Sequence, residues 1–334
     1  EPPSRIIIQL TMQSLGFLQS KEWMEFQRSL GREVFEYEKE GISAKIIKHD
    51  LPFGKNYLYI PHGPEMDFNQ MVGGFKNPVA NFVGYLCELG RKEKSIFIKV
   101  EPLVDSVAQA LAEQNFKKSK KEIQPSRTVV VDIEQDDNEL LGRMHHKTRY
   151  NIKVAEGHGV KVVESNDADS FLKLLKKTAK RDKFNPYPAD YYRQLLKLLT
   201  LLSYDKSVNS YGGERAGNGL GSILFLAKAR EKQVAGAIIL ICGNTGYYLH
   251  GASDYERRSL MAPYALHWQI IKHLKQAGIG IKHYDLWGID ARKWPGVTRF
   301  KLGWGGRTIE HPGSFDLPIS KFWYLIYRIM RKIF

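Results

Sequence analysis

The residues best suited to chemistry lie at 284–306, YDLWGIDARKWPGVTRFKLGWGG. Here Lys301 follows the aromatic Phe300 and precedes Gly303, Gly305 and Gly306. Glycine lacks a Cβ, so a backbone rich in it can approach a ligand closely. A desolvated lysine in such a setting can hold an oxyanion or a phosphate. Upstream, 284–287 reads as a short apolar strand that breaks at Gly288. Pro295 and Gly296 then punctuate a loop that leads to Phe300 and Lys301. No histidine or carboxylate is clearly placed as a base. Asp285 and Asp290 are close in sequence, and Asp285 is read as stabilising the end of the strand.

A second group of cations lies at 139–156, which reads as one long basic helix stopped by Gly157 and Gly159. His145, Arg149 and Lys153 fall at i, i+4 and i+8 on one face, with Arg143 and Lys147 as the neighbouring row. This face is either simply solvated or a track for a polyanion. The net charge of +14 points to the same partners: RNA, an anionic membrane surface or a phosphorylated substrate.

Metal chemistry is not indicated. Cys87 and Cys242 are the two cysteines of the 334 residues, and no Cys/His ligand spacing is present. His145 and His146 are adjacent and would point apart on a helix. No metal and no cofactor are expected, and a reducing compartment suits this cysteine usage. No apolar run approaches the ~20 residues of a spanning helix. The Ile6-Ile7-Ile8 run is too short for a signal-peptide core. The expectation is a cytoplasmic protein, able to lie peripherally at the inner face of the membrane.

The elements that must position these residues alternate between strand and helix. The hydrophobic content of 43% supports one large domain or two ordinary ones. Ser20 can cap a helix carrying Trp23, Phe26 and Leu30. Strands follow at 34–37, 44–47 and 57–60, a helix at 79–89, a strand at 96–100, a helix at 105–114 and a strand at 128–133. After the basic helix, a strand starts at 160–164. Helices then span 171–180 and 190–202, joined by a polar, proline-bearing loop at 181–188. A glycine-rich loop at 211–221 precedes a three-stranded meander at 223–229, 234–242 and 246–251. A helix from 263 to 276 ends at Gly278. This is an α/β chain.

Taken with Arg149-Tyr150-Asn151-Ile152-Lys153 and Gly251-Ala252-Ser253, the 284–306 stretch resembles the FemABX family, the tRNA-dependent aminoacyltransferases that build peptidoglycan cross-bridges. The likeness runs over roughly 16–318 and is densest from Lys147 onward. It implies two acyl-CoA N-acyltransferase-like (GNAT-like) domains in tandem, of the compact FemX type without a coiled-coil arm. The first would comprise 1–145 plus 315–334, and the second 146–314 with the catalytic loop. The resemblance further implies transfer of an amino acid from aminoacyl-tRNA to the stem-peptide amine of lipid II or of a UDP-MurNAc-peptide, by a monomeric enzyme.

In this family the lysine of an F-K pair stabilises the oxyanion, which assigns that role to Lys301 and the aminoacyl pocket to Phe300. Substrate contacts are expected from Arg28, Tyr187, Arg193, Ser253, Tyr264 and Trp287. Arg28 is the nearest cation to a phosphate-binding lysine that this chain does not keep. Contacts to tRNA are expected from Lys147, Arg149 and Lys153. At 257–262, RRSLMA, Leu260 stands where acetyl-CoA enzymes carry the first glycine of their phosphate loop. A GNAT-fold acyltransferase with another donor, or a non-catalytic RNA- or membrane-binding protein, stay open as alternatives.

The C-terminal segment 321–334, KFWYLIYRIMRKIF, places Phe322, Trp323, Leu325, Ile326, Ile329, Met330, Ile333 and Phe334 in one helical apolar stripe. With Lys321, Arg328, Arg331 and Lys332 it could lie in an anionic membrane interface, or dock on the first domain as a terminal helix.

Overall fold

The computed structural model describes residues 16–71, 76–203, 219–276 and 280–333. The strand or tail expected at the N-terminus, the glycine-rich loop up to residue 218 and the helix end at Gly278 lie outside these residues. Chain order runs α1 (Lys21–Ser29), β1 (Val34–Lys39), β2 (Ile42–Leu51), β3 (Lys55–Pro61), β4 (Glu65–Met66), α2 (Lys76–Lys92), β5 (Phe97–Glu101), α3 (Asp105–Glu113), β6 (Lys117–Lys118) and β7 (Arg127–Asp132). It continues through α4 (Asp137–Arg143), α5 (His146–Gly157), β8 (Lys161–Ser165), α6 (Ala168–Asp182), α7 (Ala189–Ser203), β9 (Gly221–Ala229), β10 (Lys232–Cys242) and β11 (Thr245–Ser253). The last elements are α8 (Ala262–Gln276), β12 (His283–Gly288), α9 (Pro295–Leu302), β13 (Arg307–Glu310), β14 (Phe315–Pro318) and α10 (Lys321–Ile333).

Local chemistry accounts for most boundaries. Ser20 Oγ accepts from the Trp23 N–H at 3.1 Å and starts α1, whose Trp23, Met24 and Phe26 are buried. Asp167 caps α6 by accepting from Ser170 N–H at 3.0 Å. Phe171, Leu174, Leu175, Thr178 and Ala179 then form its buried stripe at helical spacing. In β10 the run from Val234 to Leu240 is buried on both faces, as a central strand requires.

Two mixed sheets result. The first has the order β1-β2-β3-β5-β14-β6, with β4 added beside β2. The second has the order β13-β7-β12-β11-β10-β9-β8. Within the second sheet, β11 and β12 run parallel and pair at three positions, from Thr245 with His283 to Tyr247 with Asp285. Beyond Tyr247 and Asp285 the two strands are no longer paired with each other. One core lies between the second sheet, α5 and α8; another joins α1 to α6, α7 and the opposite face of that sheet.

Three expectations are corrected. The helix expected at 139–156 is two helices. Met144 and His145 adopt extended backbone, and the His145 N–H donates to Gly303 O at 2.9 Å. His145 therefore leaves the helical face and caps α5, its Nδ1 accepting from the Lys147 N–H at 3.2 Å. The loop expected before Lys301 contains α9, because Pro295 occupies a first-turn position where its missing N–H costs nothing. Finally, the sheets do not divide at 145/146. Strand β7 belongs to the second sheet, between β12 and β13, while β14 returns to the first, between β5 and β6. Sheet membership changes between Lys118 and Arg127.

The return of β14 carries a buried ion pair. Lys99 on β5 meets Asp316 on β14 at 2.6 Å, with both side chains almost fully buried. Removing one partner of such a pair strands the other charge and costs about 3–5 kcal/mol, against under ~1 kcal/mol for an exposed pair. Asp316→Ala is therefore expected to lose several kcal/mol in urea unfolding, while Glu310→Ala, which breaks the exposed Arg127–Glu310 pair, loses little. Similar losses in the two variants would contradict this account.

Candidate active site

The place where β11 and β12 stop pairing is bridged by Lys301. Its Nζ donates to Gly288 O at the end of β12 at 2.8 Å, and it lies 5.5 Å from the ring centroid of Tyr248 on β11. The side chain is 7% exposed. Burial pushes its pKa down to about 8, while the nearby Asp285 carboxylate pulls it back up. At pH 7 the group is still mostly an ammonium. An ammonium has three N–H donors, and the one hydrogen bond to Gly288 leaves two for a ligand oxygen.

Gly288 is held in place by the strand around it. The pairing of β12 with β7 slips between Asp285 and Gly288, a bulge that places Trp287 at φ +61°. Asp285 stabilises the bulge, accepting from the Trp287 N–H at 2.7 Å and from the Thr128 hydroxyl. Its carboxyl is buried, and desolvation raises its pKa against these hydrogen bonds and Lys301. That is the strand-end role expected for it. A Cβ on residue 288 would lie 2.6 Å from Pro125, so only glycine fits there.

Phe300, beside Lys301 on α9, packs edge-on to Tyr264 at 5.0 Å, near His267 at 5.2 Å and Trp304 at 6.0 Å. Phe300 and Tyr264 are thus brought together with Lys301. Two further residues of this cluster were not anticipated. His267 is fully buried, shares a hydrogen bond with Tyr284 Oη at 2.8 Å, and is pushed down to about 3 by burial and by Lys301. It is neutral at physiological pH. Tyr248 stands at 4.4 Å from the His267 ring, and its Oη would overlap any Cβ on Gly251. The spacing of Tyr264, His267 and Trp268 along one helix was the available signal, but it reads equally as core.

The remaining expected residues form other groups. Trp287 joins Phe17, His62 and Tyr247 at ring distances of 5.3, 5.5 and 5.9 Å, where the two sheets meet. Tyr187 is half exposed and stacks on Tyr191 at 4.2 Å, beside His250. Ser253 exchanges backbone hydrogen bonds with the Thr178 hydroxyl, and its own hydroxyl faces Arg181 at 3.4 Å. Arg193 pairs with Asp169 at 2.8 Å and Asp190 at 3.2 Å, and Arg28 with Glu36 at 3.0 Å. A phosphate at either arginine must compete with these carboxylates. Arg149 donates to the Leu141 and Met144 carbonyls, closing the end of α4, whereas Lys147 and Lys153 are exposed on α5. No cluster of potential metal ligands occurs among the described residues.

The arrangement offers a buried, largely protonated ammonium with two unused donors, an aromatic wall and a gap between strands. It is suited to stabilising an oxyanion.

The family model described as "FemAB family" matches residues 10–123, 114–200 and 224–332. Lipid II:glycine glycyltransferase of Staphylococcus epidermidis is 23% identical over 88% of this chain and 83% of its own length. The protein of the same name from Staphylococcus aureus is 23% identical over 90% of this chain and 85% of its own length. The crystal structure of FemX superposes with a TM-score of 0.72 at 20% identity, covering 92% of this chain and 94% of that one. A tandem GNAT protein from the clavulanic acid pathway gives a TM-score of 0.52 at 11% identity, covering 83% and 79%. The fold is thus that of the tandem GNAT-like acyltransferases.

The titration of Lys301 can be measured directly. Its Nζ should titrate near pH 8 by heteronuclear NMR, below the usual ~10.4 of lysine. Because the folded pKa lies below the unfolded one, the burden of burying the charge is full below pH 8 and fades as pH rises towards 10. Lys301→Met should therefore be at least as stable as the parent at pH 7, by thermal unfolding. An ordinary lysine pKa, or a variant unstable at pH 7, would contradict this reading.

Proposed function

Because this chain belongs to the FemAB family, we propose that its site at Lys301 performs the aminoacyl transfer of peptidoglycan cross-bridge formation, taking the amino acid from a charged tRNA. The protein is an aminoacyltransferase with a GNAT-like fold. The observation that carries the assignment of the site is the buried ammonium of Lys301, which bridges β11 and β12 with two donors unused.

In the reaction, the stem-peptide amine attacks the carbonyl carbon of the aminoacyl ester. The C–N bond forms, and the carbonyl oxygen becomes an oxyanion facing Lys301. Collapse breaks the ester C–O bond. The amine loses a proton and the released ribose hydroxyl gains one. Asp285 is engaged by Thr128 and Trp287, and His267 by Tyr284. The proton is therefore assigned to substrate or water rather than to either group. Phe300 and Tyr264 wall the aminoacyl side chain, and Lys147 and Lys153 on α5 supply exposed cations for the RNA. At 255–260, a short 3₁₀ turn precedes α8 and Leu260 packs on the core, a poor cradle for a pyrophosphate.

The acceptor is proposed to be lipid-linked. Relatives are named for lipid II, and α10 supports a membrane-facing role. Tyr324 and Tyr327 dock α10 on Phe97 at 5.3 and 4.8 Å, and Tyr324 Oη donates to Asp316 at 2.8 Å. This leaves Phe322, Leu325 and Ile329 more than half exposed on the outer face, with Lys321 and Arg328. The side chains of Lys332, Ile333 and Phe334 lie outside the described residues. One face of the helix docks, and the exposed Phe322, Leu325 and Ile329 on the other support the interfacial reading. At 13 residues it is suited to lie in an interface. No helix of the described residues is long and apolar enough to cross a membrane.

Lys301→Met should reduce turnover on lipid II and charged tRNA at least ~10²-fold, with circular dichroism unchanged. A near-parental rate would remove Lys301 from the mechanism. For the membrane face, Leu325→Ser with Ile329→Ser should weaken sedimentation with vesicles containing phosphatidylglycerol and leave the melting temperature unchanged, both residues being exposed. Unchanged sedimentation would assign the stripe to another role.

A further inference from the structure

A cleft of about 300 Å³ opens between the end of α4, β7, the start of β12 and the turn leading from α9 into β13. Arg143 and Arg307 both line it. Both are exposed, and neither makes an ion pair among the described residues. Their approach is built into the backbone. Gly305, at φ +75°, lies so close to the Arg143 carbonyl that a Cβ would come within 2.5 Å of it, and one on Gly306 would come within 2.6 Å of Val130 O. The glycine turn therefore lies against the backbone of Arg143 and Val130, with Arg307 next along the chain.

Two residues of the lining keep a buried ring nitrogen without a partner. Trp304 is 1% exposed and its Nε1–H has no acceptor; His283 Nδ1 is likewise buried without a partner. Both atoms are closed off from the cleft, so the two exposed arginines are the cations of the lining that can reach a ligand. Asp132 is the one carboxylate of the lining, and it is turned to local work, accepting from the Glu134 N–H at 3.1 Å and Gln135 Nε2 at 3.3 Å.

We infer that this cleft is a phosphate subsite, in which Arg143 and Arg307 clamp a backbone phosphate of the donor RNA. The inference rests on the charged-tRNA donor proposed above. A phosphate could also come from the pyrophosphate of the lipid-linked acceptor. RNA is favoured because α5, whose start is joined to the turn beside the cleft, carries exposed Lys147 and Lys153, with Tyr150 67% exposed between them as a surface for a base to stack on. The cleft also begins at Trp304, three residues from Lys301, where the 3′ end carrying the ester must sit. The His145 N–H to Gly303 O bond ties the start of α5 to this same turn.

The test is the double variant Arg143→Gln with Arg307→Gln. Binding of an uncharged, CCA-ended RNA stem is followed by anisotropy across salt concentrations, and transfer from charged tRNA to lipid II by steady-state kinetics. The slope of log K against log salt should fall by about 0.7–0.9, the loss of one neutralised phosphate. The KM for charged tRNA should rise roughly tenfold, with kcat and the KM for lipid II within twofold of the parent. A rise in the lipid II KM alone would assign the cleft to the acceptor and overturn the proposal. An unchanged slope and an unchanged tRNA KM in a variant that still transfers would overturn it while leaving the donor intact. If the parent binds RNA with the predicted arginine-dependent slope but transfers nothing from charged tRNA, the cleft stands and the donor reading falls.

Discussion

A buried ammonium has to face an oxygen, and the site is organised around meeting that need for Lys301. Taking a cation out of water costs several kcal/mol unless polar groups replace the solvent. Here the replacement is one carbonyl, that of Gly288, set by the bulge in β12. The bulge depends on Asp285 and Thr128, and on Pro125 filling the space a side chain at 288 would need. From the other side, the approach of α9 depends on Gly303, whose absent Cβ leaves room for Thr148 on α5. A single lysine thus draws on two strands and two helices, and its incomplete solvation leaves two of its donors unused.

Net charge alone does not separate paired cations from unpaired ones. Arg28 and Arg193 are paired with carboxylates, and Arg149 closes a helix end. Lys147, Lys153, Arg143 and Arg307 make no such commitment among the described residues. A surplus of +14 is shared by all of them. Only the packing separates structural cations from those free to meet a polyanion.

The strands and most helices were legible because hydrophobic periodicity and capping are local. Ser20 caps α1, and the meander at 221–253 follows its turns as expected. What failed depended on distant partners. Nothing near His145 announces that its N–H will be taken by Gly303, 158 residues away. Pro295 and Gly296 read as loop because proline marks both turns and first helical turns. The apolar stripe of α10 gave both docking and interfacial readings, since only the tyrosines on its other face reveal which side is covered. Of the candidate site, Lys301, Phe300 and Tyr264 were singled out in the sequence and lie together in the fold, whereas His267 and Tyr248 look like ordinary core in one dimension.

The exchange of strands between the sheets has a consequence for biosynthesis. Strand β7 is made early but needs β12 and β13 as neighbours, and β14 must slot between β5 and β6, two strands made some 200 residues before it. Neither sheet can close while the ribosome is still translating the segment between them. The edge of β5 stays open through most of elongation, with the buried Lys99 awaiting its partner. Such a chain is not assembled lobe by lobe as it emerges. The second sheet gains its last strand, β13, and the first its β14, only when the end of the chain has been made, and until then the edge of β5 lacks its partner.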